Sequence, residues 1–283
     1  MYKLKELILP VQFVAPIHTR ISELEQACKT KQMEVKRNPS GLIRIVKNHG
    51  HLQFYKRKSK SDLQGTYMPR SQNQLACKLI QADYDKKALT AIKDEITLLK
   101  SFLKKYQTNN TNHHFKTLPA TRQQILTPLT LSDSQYAELW LSEKYPRKEI
   151  SPDIPKLFTD KGEQVRSKAE VLIANALKAA DIPYRYEFPI NLNLNAGLPS
   201  HTEDIQTFHP DFYCLNLRTR KEYIWEHFGM MDDTDYSARA AEKLLLYQQN
   251  GYFPGKNLII TMETSKTKTS SMELNQIIQE YLK

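Results

Sequence analysis

Glycine is scarce in this sequence, 8 residues in 283, and none belongs to a glycine-rich phosphate loop. Nucleotide sites that need close backbone approach are thereby excluded. Cysteine is scarcer still. Cys28, Cys77 and Cys214 are odd in number and far apart, with no CxxC pair, which supports neither a disulfide framework nor a cysteine zinc site. No stretch approaches the roughly 18 apolar residues of a spanning helix, so no membrane partner is expected. The start, MYKLKELILPVQFVAP, is broken by Glu6, Pro10 and Gln12; it is a poor secretory signal, and a cytoplasmic protein is expected. What is present is ordinary for a globular protein, 40% hydrophobic and 25% charged residues, which excludes wholesale disorder and collagen-like repeats. The length predicts about two domains.

Charge divides the chain. Residues 1–115 hold 21 Lys and Arg against 9 Asp and Glu, a balance of +12, whereas residues 116–283 hold 20 against 22, a balance of −2. A basic part beside a near-neutral one predicts a polyanion-binding module joined to something else. A solvated basic face kept for solubility explains the same numbers.

Helical spacing of Ile21, Leu24, Ala27 and Cys28 predicts a helix over 19–36, stopped by Asn38-Pro39-Ser40-Gly41. Leu42–Val46 and His51–Tyr55 read as strands about an Asn48-His49-Gly50 turn, with a third short strand at Gly65–Met68. Residues 71–106 read as a long helix, which could also pair with a second copy in a homo-oligomer. The strands carry Arg44, Lys47, Lys56, Arg57, Lys58 and Lys60 among His49, His51, Phe54 and Tyr55. Lysine and arginine neutralise phosphates and aromatic rings stack on bases, so these six are candidate nucleic-acid contacts; edge protection of an exposed hairpin is the alternative. Residues 107–120 read as a linker, and a short helix capped by Ser132 or Asp133 follows. The expected domains are 1–115 (basic helix–hairpin–helix module), 116–158 (linker with a short helix) and 159–283.

The last part reads α-β-β-β-α-β-α. The elements are a helix at Lys168–Ala180, strands at Tyr184–Ile190, Asp211–Leu217 and Glu222–Phe228, a helix at Asp233–Gln249, a strand at Asn257–Thr264 and a helix at Met272–Leu282. Three carboxylates fall at telling places: Glu170 on the first helix, Asp211 at the start of the second strand, Glu226 inside the third. A carboxylate amid apolar strand residues is costly to bury unless it is paired or binds a cation. Adjacent strands can set Asp211 beside Glu226, and a hard dication such as Mg²⁺ or Mn²⁺ relieves the repulsion. Blander roles stand beside each. Ser167-Lys168-Ala169-Glu170 fits a capping box, Asp211 could open a turn, and Glu226 could pair with Lys243 or Arg239.

HPDFYCLNLRTRKEYIWEHFG resembles the core of the PD-(D/E)XK nuclease superfamily, and RSKAEVLIANALKAADIPYRYEFPI resembles the helix and first strand of the branch that includes very-short-patch-repair endonucleases. The likeness covers about residues 160–265. The whole chain is also similar to a bacterial family that joins a basic helix–hairpin–helix module to this core. The resemblance implies an α/β fold with a mixed α-β-β-β-α-β sheet and a mainly helical amino-terminal module containing a β-hairpin. It also implies a metal-dependent nuclease acting on DNA, double-stranded by expectation. Asp211, Glu226 and Glu170 would then be metal-binding and catalytic. One departure stands out: the pattern wants Lys two residues after the glutamate, and Phe228 is there. Lys243, on the following helix in a K-x-x-x-Y spacing with Tyr247, is the expected substitute. The competing reading is a non-catalytic DNA-binding or oligomerising protein on a degenerate core.

Overall fold

The computed structural model describes residues 6–149, 151, 155–197 and 202–283. Parts of the expected linker at 116–158 and of the polar loop before Thr207 lie outside the described residues. The chain forms two units, one of residues 11–123 and one joining the amino-terminal residues up to Pro10 to 124–283.

In the first unit, α1 (Val14–Arg37) and the 37-residue α2 (Asn73–Asn109) flank a three-stranded sheet of β1 (Leu42–Asn48), β2 (His51–Arg57) and β3 (Thr66–Met68). His49 and Gly50 both take positive φ, 46° and 80°, the requirement of the tight turn that matches strand twist. Ion pairs Arg20–Glu95 (3.0 Å) and Lys31–Asp85 (2.9 Å) link the two helices in antiparallel sense. Asp85 is buried and also accepts from Gln81 and Asn38; the bonds from Lys31 and Gln81 hold its carboxyl below the usual range. Phe54 and Met68 bury one face of the sheet against Ala76 and Ile80 of α2. The segment 107–120, expected as a linker, is largely helical. The Asn110 side chain accepts from His113 N at 2.8 Å and caps α3 (Thr111–Lys116), and α4 (Ala120–Gln123) follows. Asn and Thr there are caps rather than breakers.

The second unit begins with α5 (Asp133–Leu141), capped by Ser132 and Gln135 in a reciprocal box. A small ladder of β4 (Leu157–Phe158) and β5 (Gln164–Val165) leads to α6 (Lys168–Ala179) and β6 (Tyr184–Tyr186). A hairpin of β7 (Ile190–Asn193) and β8 (Ile205–Phe208) intervenes before β9 (Phe212–Asn216), β10 (Lys221–Phe228), α7 (Thr234–Gln249), β11 (Leu258–Met262) and α8 (Ser271–Tyr281). The main sheet has the order β11-β10-β9-β6, with β10 parallel to β11 and antiparallel to β9. This is a mixed α/β architecture in the element order expected, with one added hairpin. The expected strand 184–190 is cut short because Glu187 takes φ 49° and Pro189 cannot donate to a ladder. The alternation Ile190-Asn191-Leu192, both apolar members buried, was the signal for the hairpin.

Alternation along β10 sends Trp225 to one face and Ile224 and Glu226 to the other. Trp225 packs with Ile173 and Leu177 of α6 and Ile278 of α8. Ile224 packs with Tyr247 of α7, Leu258, and Leu192 of the added hairpin. Burying each such side chain contributes about 1.5–3 kcal/mol, so both faces of β10 are held firmly. Among the described residues no helix is long and apolar enough to cross a membrane.

Candidate functional site

The β9–β10 register pairs Phe212 with Trp225 at its last step. One residue further, Asp211 stands beside Glu226 on the face that α7 covers. The His227 backbone N–H donates to Asp211 Oδ2 at 2.7 Å and fixes the carboxylate there. Asp211 Oδ1 accepts no hydrogen bond from the described residues. Asp211 and Glu226 form one wall of a cavity of about 220 Å³; Tyr236, Arg239, Ala240 and Lys243 of α7 line the other.

Glu226 is 1% exposed. Its Oε2 accepts from Lys243 Nζ at 2.8 Å and its Oε1 from the Tyr247 hydroxyl at 2.5 Å. The K-x-x-x-Y spacing thus delivers both donors to one carboxylate, since residues four apart share a helix face. The Lys243 amine stays within the cavity. Phe228 occupies the position where the resemblance wants lysine; it is buried and also lines the cavity.

Burial pushes both carboxyls up. Asp211 is held well above the usual carboxylate range, first by desolvation and then by the charge of Glu226, with Lys243 opposing. Glu226 is raised by desolvation, again against Lys243 and the bond from Tyr247. Two neighbouring carboxyls that resist ionisation form a set that a hard dication would relieve. The donor chemistry, two carboxylates and no thiolate, fits Mg²⁺ or Mn²⁺, which complete their shells with water.

Glu170 takes a different position. Its Oε1 accepts from Ser167 Oγ at 2.9 Å, and its Oε2 from Tyr186 Oη at 2.6 Å and Arg166 N at 2.9 Å. Ser167 Oγ in turn accepts from Glu170 N at 3.2 Å, so the side chain closes the start of α6. Its charge adds to the upward push on Asp211 and Glu226. Among the described residues no three His, Cys, Asp or Glu side chains gather as a metal-holding group. His227 points to the opposite face, where its Nδ1 meets Thr261 Oγ1 at 2.9 Å, and burial lowers its affinity for a proton.

The six basic residues of the hairpin are divided. The cross-strand pairs Arg44–Tyr55 and Leu42–Arg57 put both arginines on the sheet face opposite Phe54. Arg44 donates to Leu63 O (2.9 Å), and Arg57 donates to Asp62 O (2.5 Å) and to Lys60 O. These guanidinium groups order the β2–β3 loop, a role the sequence did not reveal. Lys47, Lys56, Lys58 and Lys60 are exposed. In α2, Tyr84 and Leu98 are the most exposed large apolar side chains, 62% and 69%.

Reasoning from sequence missed one member of the cavity, Tyr236, whose Oη accepts from Gly229 N at 3.2 Å. Arg239, offered by the sequence as an alternative partner of Glu226, lines the cavity instead, and the ion pair is made by Lys243. Extending the helical-face reading two turns back from Lys243, through Arg239 at i−4 to Tyr236 at i−7, was the signal that could have found it.

No family model matches the chain, and no solved structure matches it. Over 98 residues, 34% of this chain, it is 35% identical to an uncharacterized protein of Methanocaldococcus jannaschii, and the match covers 7% of that protein. The chain therefore spans a small fraction of the length of the relative it matches.

Proposed function

We propose that the chain is a metal-dependent phosphodiesterase acting on DNA, with a core of the PD-(D/E)XK kind. The observation that carries this reading is the pair Asp211 and Glu226. They are set side by side by strand register, face a cavity, and are both held above the ordinary carboxylate range. Asp211 and Glu226 would hold Mg²⁺ or Mn²⁺, which would supply charge neutralisation at the scissile phosphate. His227 N–H keeps Asp211 turned toward the cavity. Tyr247 anchors one oxygen of Glu226, and Lys243 brings a cation to the other. From there its amine can donate to a phosphate oxygen as charge develops. Glu170 closes α6, and its charge adds to the upward push on both carboxyls. The exposed lysines of the hairpin would contact the backbone of duplex DNA; preference for DNA over RNA rests on the family resemblance.

The test is cleavage of supercoiled and linear DNA with Mg²⁺ or Mn²⁺ against chelator. Metal-dependent products are expected. A second reading, a DNA-binding protein on an inactive core, draws on the same ion pair, because Lys243 neutralises Glu226 without any added cation. Salt-sensitive DNA binding with no cleavage under any metal would select it.

A further inference from the structure

The cavity wall contributed by α7 holds two cations, one of them paired. Lys243 is paired with Glu226 at 2.8 Å. Arg239, one turn earlier, also lines the cavity. It is exposed and makes no ion pair or side-chain hydrogen bond with any described residue. Between them Ala240, 4% exposed, presents only a methyl group, so the space under the stripe is not filled. At the far end of the stripe, Gly229 N donates to Tyr236 Oη and fixes the phenol at the cavity; the phenolic hydrogen has no acceptor among the described residues.

We infer that Arg239, with Tyr236 beside it, is the seat for a phosphodiester group of the substrate. The inference rests on the phosphodiesterase reading and extends it to a substrate-touching residue that the sequence motif does not contain. A guanidinium offers a planar fork of donors that matches two non-bridging phosphate oxygens, whereas an ammonium acts as a point charge. The division of labour follows. Lys243, a point charge, serves the carboxylate; the fork of Arg239, at the cavity and without a partner among the described residues, is left for an oxyanion. Charge balance agrees. Asp211 and Glu226 contribute two negative charges and Glu170, close enough to act on both, a third, against two positive ones from Lys243 and Arg239. An added dication then leaves the cavity positive enough to take a phosphodiester anion. Size agrees too: 220 Å³ equals roughly seven waters at about 30 Å³ each, the scale of one phosphate group and its shell.

The test uses the full chain and two substitutions, Arg239→Ala and Arg239→Lys. Thymidine 3′,5′-bisphosphate is titrated calorimetrically, in Mg²⁺ and again in chelator. Single-turnover DNA cleavage and melting temperature are measured on the same preparations. Arg239→Ala should weaken bisphosphate binding by about tenfold, one charge-assisted bidentate contact. It should also slow cleavage by roughly 10²–10³ with melting unchanged. Arg239→Lys should recover only part of each loss, because the charge returns without the fork. Bisphosphate affinity unchanged in Arg239→Ala, or no binding to the parent chain, overturns the seat. A chain that binds bisphosphate through Arg239 yet never cleaves DNA keeps the seat and refutes hydrolysis. A chain that cleaves equally well with alanine at 239 keeps hydrolysis and refutes the seat.

Discussion

Asp211→Asn should abolish metal-dependent cleavage and, at neutral pH without metal, make the protein more stable. Asparagine keeps the shape, and its oxygen can still accept from His227 N, 2.7 Å from the present carboxylate oxygen. What it removes is a charge that burial and Glu226 disfavour. The sign follows from proton linkage. Asp211 in the folded state holds its proton to higher pH than in the unfolded chain, so the folded state binds more protons in that window and stability falls as pH rises through it. The penalty is nil below the ordinary Asp value of 3.8, grows above it, and is complete once pH exceeds the raised folded value. Melting temperature should therefore favour Asn at pH 7 by about 2–4 °C for each kcal/mol relieved. The two proteins should converge near pH 4. Metal reverses the ranking. Mg²⁺ at ten times its dissociation constant adds about 1.4 kcal/mol to the parent chain, or about 3–6 °C, and little to the variant. The assay is thermal melting from pH 4 to 8, with chelator and with Mg²⁺, beside DNA cleavage. Parental cleavage in the variant, or a variant less stable by an amount independent of pH, refutes the reasoning.

Lys243→Ala removes the amine 2.8 Å from Glu226 and should slow single-turnover cleavage by roughly 10²–10³. It also leaves Glu226 more reluctant to ionise, so its loss of melting temperature should be largest at high pH and fade toward acid; a loss independent of pH would contradict the ion pair. For the hairpin, joint replacement of Lys47, Lys58 and Lys60 by alanine should flatten the dependence of log DNA affinity on log salt by about 0.9 for each phosphate contact removed, read by fluorescence anisotropy. An unchanged slope would move the DNA surface elsewhere.

The carboxylate pair was legible because strand alternation and fold order are one-dimensional. Asp211 before a five-residue strand and Glu226 inside the next can meet only if the strands are neighbours in one register. The α7 stripe was legible at Lys243 and Tyr247 for the same reason, through the period of a helix. Three features were not. Glu170 satisfied two patterns at once, and only the positions of Ser167, Arg166 and Tyr186 show its oxygens occupied. The hairpin arginines looked like free cations because their acceptors are backbone carbonyls of a loop some 3 to 20 residues away, invisible to side-chain patterns. The β7–β8 hairpin was hidden because its two strands are short and separated by polar sequence; its pairing depends on Leu192 finding Tyr247 and Leu258 in the core.

Phe228 poses the remaining question about the site, and a substitution answers it. The position shares a strand face with Glu226 and lines the cavity, yet it holds an apolar ring that is 4% exposed. A lysine there would leave the strand beside the carboxylates, whereas Lys243 reaches Glu226 from the helix above. If one cation near Glu226 is what catalysis needs, its origin is secondary. Phe228→Lys combined with Lys243→Ala should then regain at least about tenfold of the rate that Lys243→Ala loses, within the 10²–10³ attributed to one charge-stabilising donor. The exchange sacrifices the burial of a large ring, a loss of about 1.5–3 kcal/mol. Melting temperature should fall relative to Lys243→Ala while cleavage rises. Opposite movements of rate and stability cannot come from repair of the fold, so they would isolate the cation as the active element. A folded double variant no faster than Lys243→Ala would show that the helix geometry of Lys243, and not the presence of an amine, carries the function.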